Sequence, residues 1–172
     1  MTDPASAASF DSAEFRRVLG HVPTSVVVVT GRDARGTPAG VTIGSFVSIS
    51  LEPPLVGFFH GHGSASWAAI AESGCFSVNV LSESQQELCW RFAKEPAPGT
   101  SRFDGLDCTD APNGSPLLPG GVASVDCDVE STLDIGDHLL VVGRVTALRA
   151  ASGDAAPMVF VRGALGRAGV DT

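Results

Sequence analysis

Apolar residues in this chain fall in short runs separated by Gly, Pro, Asp and Ser. Asp11 or Ser12 can cap a first helix, with Phe15, Val18 and Leu19 at i, i+3 and i+4 forming its buried face; Gly20 and Pro23 end it. Val26–Thr30 is too apolar for a half-exposed strand and reads as buried on both faces. After a polar turn over 32–38, a pair of strands passes through Val41 and Ser50, and Leu55–Phe59 forms another. A short helix is expected over Ser66–Ser73 and a strand over Phe76–Leu81. Ser82 with Gln85 has the form of a capping box that opens a helix through Leu88, Cys89 and Phe92. Residues 94–121 are rich in Pro, Gly, Asp and Ser and read as one long, structureless loop, a feature that is often functional. Val122–Leu133 and His138–Leu148 read as an antiparallel pair across residues 134–137, and Met158–Arg162 as the last strand. Many short strands at turn-rich intervals indicate a mainly β fold, a barrel with a few helices.

The segment Gly40–Ser66 carries the most chemistry. Strict alternation places Ser48 and Ser50 on one strand face, with Val47 and Ile49 on the other. A hydroxyl-lined face suits a flat polar ligand. Pro53-Pro54 turns the chain into the apolar strand that ends in His-Gly-His-Gly-Ser-Ala-Ser. Small residues just before a helix let backbone amides approach a phosphate, and the helix start favours negative charge.

Composition narrows the class. The 172 residues are 44% hydrophobic and 17% charged, with a net charge of −8. A single domain with a real core is expected over 11–172, behind a disordered tail at 1–10. The acidic balance argues against a nucleic-acid or acidic-membrane partner. No apolar run approaches the ~20 residues of a membrane-spanning helix. The first residues lack the basic and apolar regions of a signal peptide, so a cytoplasmic location is expected. Cys75, Cys89, Cys108 and Cys127 show no zinc-ligand spacing and read as reduced thiols.

Read alone, Thr42, Ser45, Ser48 and Ser50 are ordinary strand hydroxyls, and Ser64 and Ser66 are plain helix caps. His60 and His62 form an H-x-H pair without an evident third ligand, so no metal is expected. Trp67 and Trp90 read as core or interface residues. His138 is a strand-start histidine beside a turn, and no role follows from that.

An ordered set of pieces changes this reading. Phe15-Arg16-Arg17-Val18-Leu19-Gly20 precedes Thr24–Thr30, the serine-rich strand and Pro53-Pro54-Leu55-Val56. Ser73-Gly74-Cys75-Phe76-Ser77-Val78-Asn79-Val80-Leu81 follows, then Gln85-Gln86-Glu87-Leu88 leading to Arg91-Phe92-Ala93, then Gly136-Asp137-His138 and Gly143-Arg144-Val145. Together they resemble the short-chain flavin reductases of two-component flavin-dependent monooxygenases, over Phe15–Gly166. The resemblance implies an FMN-binding split β-barrel, usually a homodimer, with flavin near the subunit interface. It implies an NAD(P)H:flavin oxidoreductase that reduces free FAD or FMN for a partner monooxygenase or halogenase. The alternative on the same fold is a flavin-binding electron carrier or storage module with tightly held FMN and no NAD(P)H turnover.

The resemblance also assigns residues. Thr42, Ser45, Ser48 and Ser50 are expected along the isoalloxazine edge and ribityl chain, and Ser64 and Ser66 at the phosphate. Many relatives carry Arg or Lys where this chain has His62; a neutral imidazole gives no fixed charge there. Lys94 and Arg102 can supply the missing charge. Phe92 and Phe103 are expected near the flavin. Relatives often have an aromatic residue where this chain has Leu165, so stacking from there is lost. Gly136, Asp137 and His138 are expected at the nicotinamide, with His138 orienting the ring for hydride transfer from C4 to flavin N5. No catalytic acid, base or nucleophile is expected. NADH is favoured over NADPH because no basic cluster awaits a 2′-phosphate.

Overall fold

A computed structural model describes residues 10–169. The expected tail lies almost wholly outside them. Asp11 caps α1 (Ser12–Leu19), its carboxylate accepting from the Glu14 amide at 2.7 Å. The apolar stripe of α1 is not buried: Phe15, Val18 and Leu19 are each about half exposed. The helix carries no buried residue because, among the described residues, no other element covers it.

The strands are β1 (Thr24–Ser25), β2 (Val27–Arg32), β3 (Pro38–Ile43), β4 (Val47–Leu51), β5 (Pro54–Gly61), β6 (Cys75–Val80), β7 (Thr109–Asp110), β8 (Pro116–Leu117), β9 (Ala123–Ile135), β10 (His138–Ala150), β11 (Met158–Val161) and β12 (Ala164–Arg167). Two further helices, α2 (Ala65–Ala71) and α3 (Gln86–Ala93), complete the order. Seven strands form one antiparallel sheet in the order β3-β2-β6-β9-β10-β5-β4. β1, β11 and β12 form a second sheet, and β7 pairs with β8.

β3 and β4 follow each other in sequence yet stand at opposite edges of the large sheet, so they are not partners. The link between them, Gly44–Phe46, crosses the gap. There the Ser45 hydroxyl accepts from the Phe59 amide at 2.9 Å and reaches the Phe59 carbonyl at 3.0 Å. That side chain ties the link to β5, and no ladder joins the two edges. This is a split β-barrel.

β2 is the spine, buried on both faces as its composition requires. Val27 and Val29 enter a core with Phe58, Trp67, Ile70, Phe76 and Val141. Val26, just before it, and Val28 enter a second core with Leu81, Cys89, Phe92 and Met158. Phe58 meets Trp67 and Phe76 edge-on at 5.4 and 5.6 Å, the geometry that aromatic quadrupoles favour.

The 94–121 segment is not structureless. Its backbone is pinned to β2 and β6 by buried polar side chains. Asn79 accepts from the Leu118 amide at 2.8 Å and donates to the Thr30 hydroxyl at 2.9 Å, while Thr30 donates to the Pro116 carbonyl. Asn113 donates to the Phe76 carbonyl at 3.0 Å. The expected capping box is half made. Gln85 accepts from the Ser82 amide at 2.8 Å, but the Ser82 hydroxyl turns to Ser84 and the helix starts at Gln86.

β10 runs beside β9 along its length and beside β5 over His138–Arg144, and Gly143 allows it. A β-carbon at Gly143 would sit 2.5 Å from the Phe76 ring. The hairpin tip, Gly136-Asp137, is a two-residue turn with φ of +61° at Gly136, where glycine is the natural choice.

Candidate functional site

Three depressions run together along one side of the split barrel. The first, about 250 Å³, lies between β3 and α3, with Thr42 and Gly44 on one wall and Trp90, Phe160 and Leu165 on the others. The second is an open groove of about 640 Å³ between α3 and the following segment, bordered by Trp90, Lys94 and Arg102. The third, about 260 Å³, holds Arg102, Ser66, Gly40 and Phe103. Trp90 is common to the first two and Arg102 to the last two.

Arg102 is held at all three of its guanidinium nitrogens. Its Nε donates to the Lys94 carbonyl at 2.9 Å, its Nη1 to the Ser66 hydroxyl at 2.8 Å, and Nη2 lies 3.4 Å from Glu95. The side chain is only 12% exposed. A guanidinium fixed in this way is pre-organised for an anion. Ser66 is buried in the first turn of α2, and Ser64 caps that helix by accepting from the Trp67 amide at 3.3 Å.

The aromatic floor differs from expectation. Phe92 is fully buried and has no free face for a ligand. It stands edge-on to half-buried Phe103 at 5.0 Å, beneath Gly40. A β-carbon on Gly40 would come within 2.6 Å of Phe92 and 3.2 Å of Phe103. Phe92 shapes the pocket from below, and Phe103 is the ring at its surface. Trp90, 43% exposed, lies off the buried stripe of α3 and forms a wall, edge-on to Phe160 at 6.5 Å. Its place off that stripe was the signal that set it apart from the core.

Of the serine-rich residues, Thr42 donates to the Cys89 carbonyl at 2.7 Å, and the Ser45 hydroxyl is taken up by Phe59. Both brace the backbone. A β-bulge interrupts β4, so Ser48 lies opposite Val56 while Ser50 lies opposite Leu55. Val56 and Leu55 are neighbours on β5 and face opposite ways. The two serines therefore do not share the face that strict alternation predicts.

The end of β5 meets the tip of the β9–β10 hairpin. His138 pairs with Gly61 across the ladder. Its Nδ1 lies 2.6 Å from Asp137, and that hydrogen bond holds the Asp137 carboxyl below the ordinary carboxylate range. His62 points to the hairpin and not to Ser64 or Ser66, with Nδ1 3.6 Å from Asp134 and Nε2 3.4 Å from the Gly136 carbonyl. His60 is buried against Trp67 at 5.3 Å, with Nδ1 on the Gly61 carbonyl at 2.8 Å and Nε2 without a partner. Desolvation pushes its pKa below the ordinary histidine value. Among the described residues no cluster of His, Cys, Asp and Glu is arranged to hold a metal. Burial raises the Cys108 thiol and pushes Cys127 to about 12, against a reactive role.

The loop from His60 to Ser66 thus touches both halves: His62 reaches the histidine turn, and Ser66 the Arg102 pocket. Residues 19–169 match the family model described as a flavin reductase like domain. The chain belongs to the flavin reductase-like family. It is 43% identical to a flavin reductase of Pseudomonas putida, over 92% of this chain and 91% of the relative. It is 45% identical to the reductase subunit HsaB of a flavin-dependent monooxygenase from Rhodococcus jostii, over 92% of this chain and 78% of that one. The Streptomyces globisporus NADH:FAD oxidoreductase SgcE6, solved with NAD and FAD fragments, superposes with a TM-score of 0.85 at 31% identity, covering 94% of each chain. As a member of this family the chain is an NAD(P)H:flavin oxidoreductase. No described helix is long and apolar enough to cross a membrane.

Proposed function

We propose that this flavin reductase takes hydride from NADH, passes it to freely exchanging FAD or FMN, and releases the reduced flavin to a separate monooxygenase or halogenase. The observation that carries this reading is the continuous groove from Thr42 past Trp90 and Lys94 to the Arg102–Ser66 pair, with the His138 turn at the other end of the same loop. The donor set fits a phosphorylated, flat ligand. Arg102, Ser66 and the amides at the start of α2 face an anion, with Lys94 beside them. Trp90, Phe103 and the backbone about Thr42 and Gly44 border a ring. Ser48 and Ser50 lie on β4, the edge strand that Gly44–Phe46 connects to this wall.

Bound flavin supplies the electron sink for the hydride. The chain's own residues orient and shield. Asp137, kept ionised by His138, fixes the imidazole so that Nε2 is left to face a carboxamide or ribose. Trp90 and Phe160 keep water from one side of the first cleft. No group on the chain need move a proton in the hydride step, so rate depends on how well the two rings are held. An open groove favours exchange over permanent retention.

A homodimer is part of the proposal. The uncovered apolar stripe of α1 and the exposed Val47, Ile49 and Leu51 of edge strand β4 are the surfaces a second copy would cover. Light scattering should give about twice 17.6 kDa; a monomer that turns over at full rate refutes this part. The reductase reading is tested by assaying NADH and NADPH oxidation with FAD and FMN, and by spectra of the purified protein. A colourless protein that consumes NADH only when flavin is added supports it. A yellow, NADH-inert protein supports the carrier reading.

A further inference from the structure

We infer that His62 is a positioning residue for the Gly136–His138 turn, acting through Asp134 and the Gly136 carbonyl, and that it governs NADH affinity and not flavin affinity. The inference rests on the reductase reading for its kinetic consequence, but the contact itself is independent of it.

Several observations converge. His62 is the first residue beyond β5, whose last rung joins Gly61 to His138. Both ring nitrogens face the hairpin: Nδ1 is 3.6 Å from the Asp134 carboxylate and Nε2 is 3.4 Å from the Gly136 carbonyl. Asp137 is already taken by His138 at 2.6 Å, which leaves Asp134 as the carboxylate for His62. Ser64 caps α2 and Ser66 serves Arg102. The anion end of the loop therefore has its own cation, and the histidine is left for the turn. A position that the resemblance assigns to a basic phosphate contact instead clamps the opposite half of the site.

The chemistry of the clamp is specific. A carboxylate and a carbonyl both accept, so both contacts need a ring N–H. Only the imidazolium carries two; the neutral ring must give up one. The groups facing His62 are Asp134 from β9, Asp137 from the turn, His138 from β10 and His60 from β5. Burial first, then repulsion from His62 and His138, holds His60 below the ordinary histidine value. Asp134 and His62 are solvent-accessible, so the clamp is weak. An exposed pair of this kind changes an equilibrium by roughly 1.4- to 5-fold, enough to bias a two-residue turn.

The test uses the full chain as wild type, His62→Ala, His62→Gln, Asp134→Asn and the His62→Ala/Asp134→Asn double variant. NADH and flavin saturation curves are taken at about pH 6 and 8, and amide exchange over 134–138 is followed without ligands. We expect His62→Ala to raise the NADH KM about threefold at the lower pH, to leave the flavin KM within twofold, and to speed exchange at Gly136–His138. His62→Gln, with donors on one side only, should rescue part of the effect and remove its pH dependence. The double variant should be no worse than either single. A rise in flavin KM with NADH KM unchanged assigns His62 to the phosphate and overturns the inference, as do additive single effects or unchanged exchange. If no variant, wild type included, oxidises NADH with any flavin, the reductase reading fails, and the exchange data alone decide the clamp.

Discussion

Arg102 donates to the Ser66 hydroxyl at 2.8 Å, joining the segment after α3 to the first turn of α2 across 36 residues of sequence. In the proposed function this pair is the anion end of the flavin groove. Arg102→Ala should raise the flavin KM about 10- to 100-fold, the loss of a charge-assisted contact worth about 1.5–3 kcal/mol, with the rate at saturating flavin nearly kept. Ser66→Ala should cost less, since the guanidinium remains held by the Lys94 carbonyl. Flavin titrations of both variants check this; unchanged flavin affinity in Arg102→Ala moves the anion site elsewhere.

His138→Ala should damage NADH use and spare flavin. The imidazole is fixed by Asp137 on a hairpin apart from the Arg102–Ser66 pair. Loosening an orienting contact can cost on the order of 100-fold in rate. Stopped-flow reduction beside a flavin titration separates the two effects. Loss of flavin affinity with hydride transfer intact reverses the assignment of the two ends of the loop.

The strands were legible because their patterns are local. Val26–Thr30 could only be a doubly buried strand, and it lies between two cores. What could not be read was anything set by contact between distant segments. Nothing in the periodicity of Phe15, Val18 and Leu19 tells that no element among the described residues covers them. The bulge between Ser48 and Ser50 is invisible to an alternation count, and it moves one serine to the other face. The polar 94–121 segment looked structureless because its anchors, Asn79 and Thr30, sit on strands far away in sequence. At the site, the family resemblance named Ser66, Lys94 and Phe103, which line the groove, and His138, which stands apart from it on the β9–β10 hairpin. It did not reveal that Phe92 is sealed beneath Gly40 or that His62 faces the hairpin.

Acid should weaken the fold through His60. Its folded pKa lies below the ordinary histidine value because burial disfavours the charged ring. The unfolded chain therefore binds more protons in the interval between the two values, and stability falls as pH drops from about 6.5 toward the folded value. His60→Leu keeps the apolar contacts with Phe58 and Trp67 and removes an unpartnered nitrogen. Its melting temperature should vary less between about pH 7 and 5 than that of wild type. An equally steep acid limb in the variant places the titrating group elsewhere.

Gly40→Ala should destabilise the fold and weaken flavin binding together. The added methyl would lie 2.6 Å from Phe92, a ring fully buried with no space to swing. Overpacking of this kind costs about 1–3 kcal/mol, a loss of several degrees in Tm for a domain of this size. Displacing Phe103 should raise the flavin KM as well. Thermal melts and flavin titrations check both, and a variant with wild-type Tm shows that the ring yields more easily than its burial implies.

In the proposed function flavin is a substrate that comes and goes while the protein aligns it with NADH. The most direct measurement is single-turnover reduction in anaerobic stopped flow, with flavin-free protein mixed with NADH and increasing FAD or FMN, and a flavin-dependent monooxygenase or halogenase added as acceptor. The expected result is no NADH oxidation without added flavin, saturation with flavin concentration, and delivery of reduced flavin to the acceptor on dilution. Tightly retained flavin that NADH reduces without release, or that NADH does not reduce at all, contradicts it.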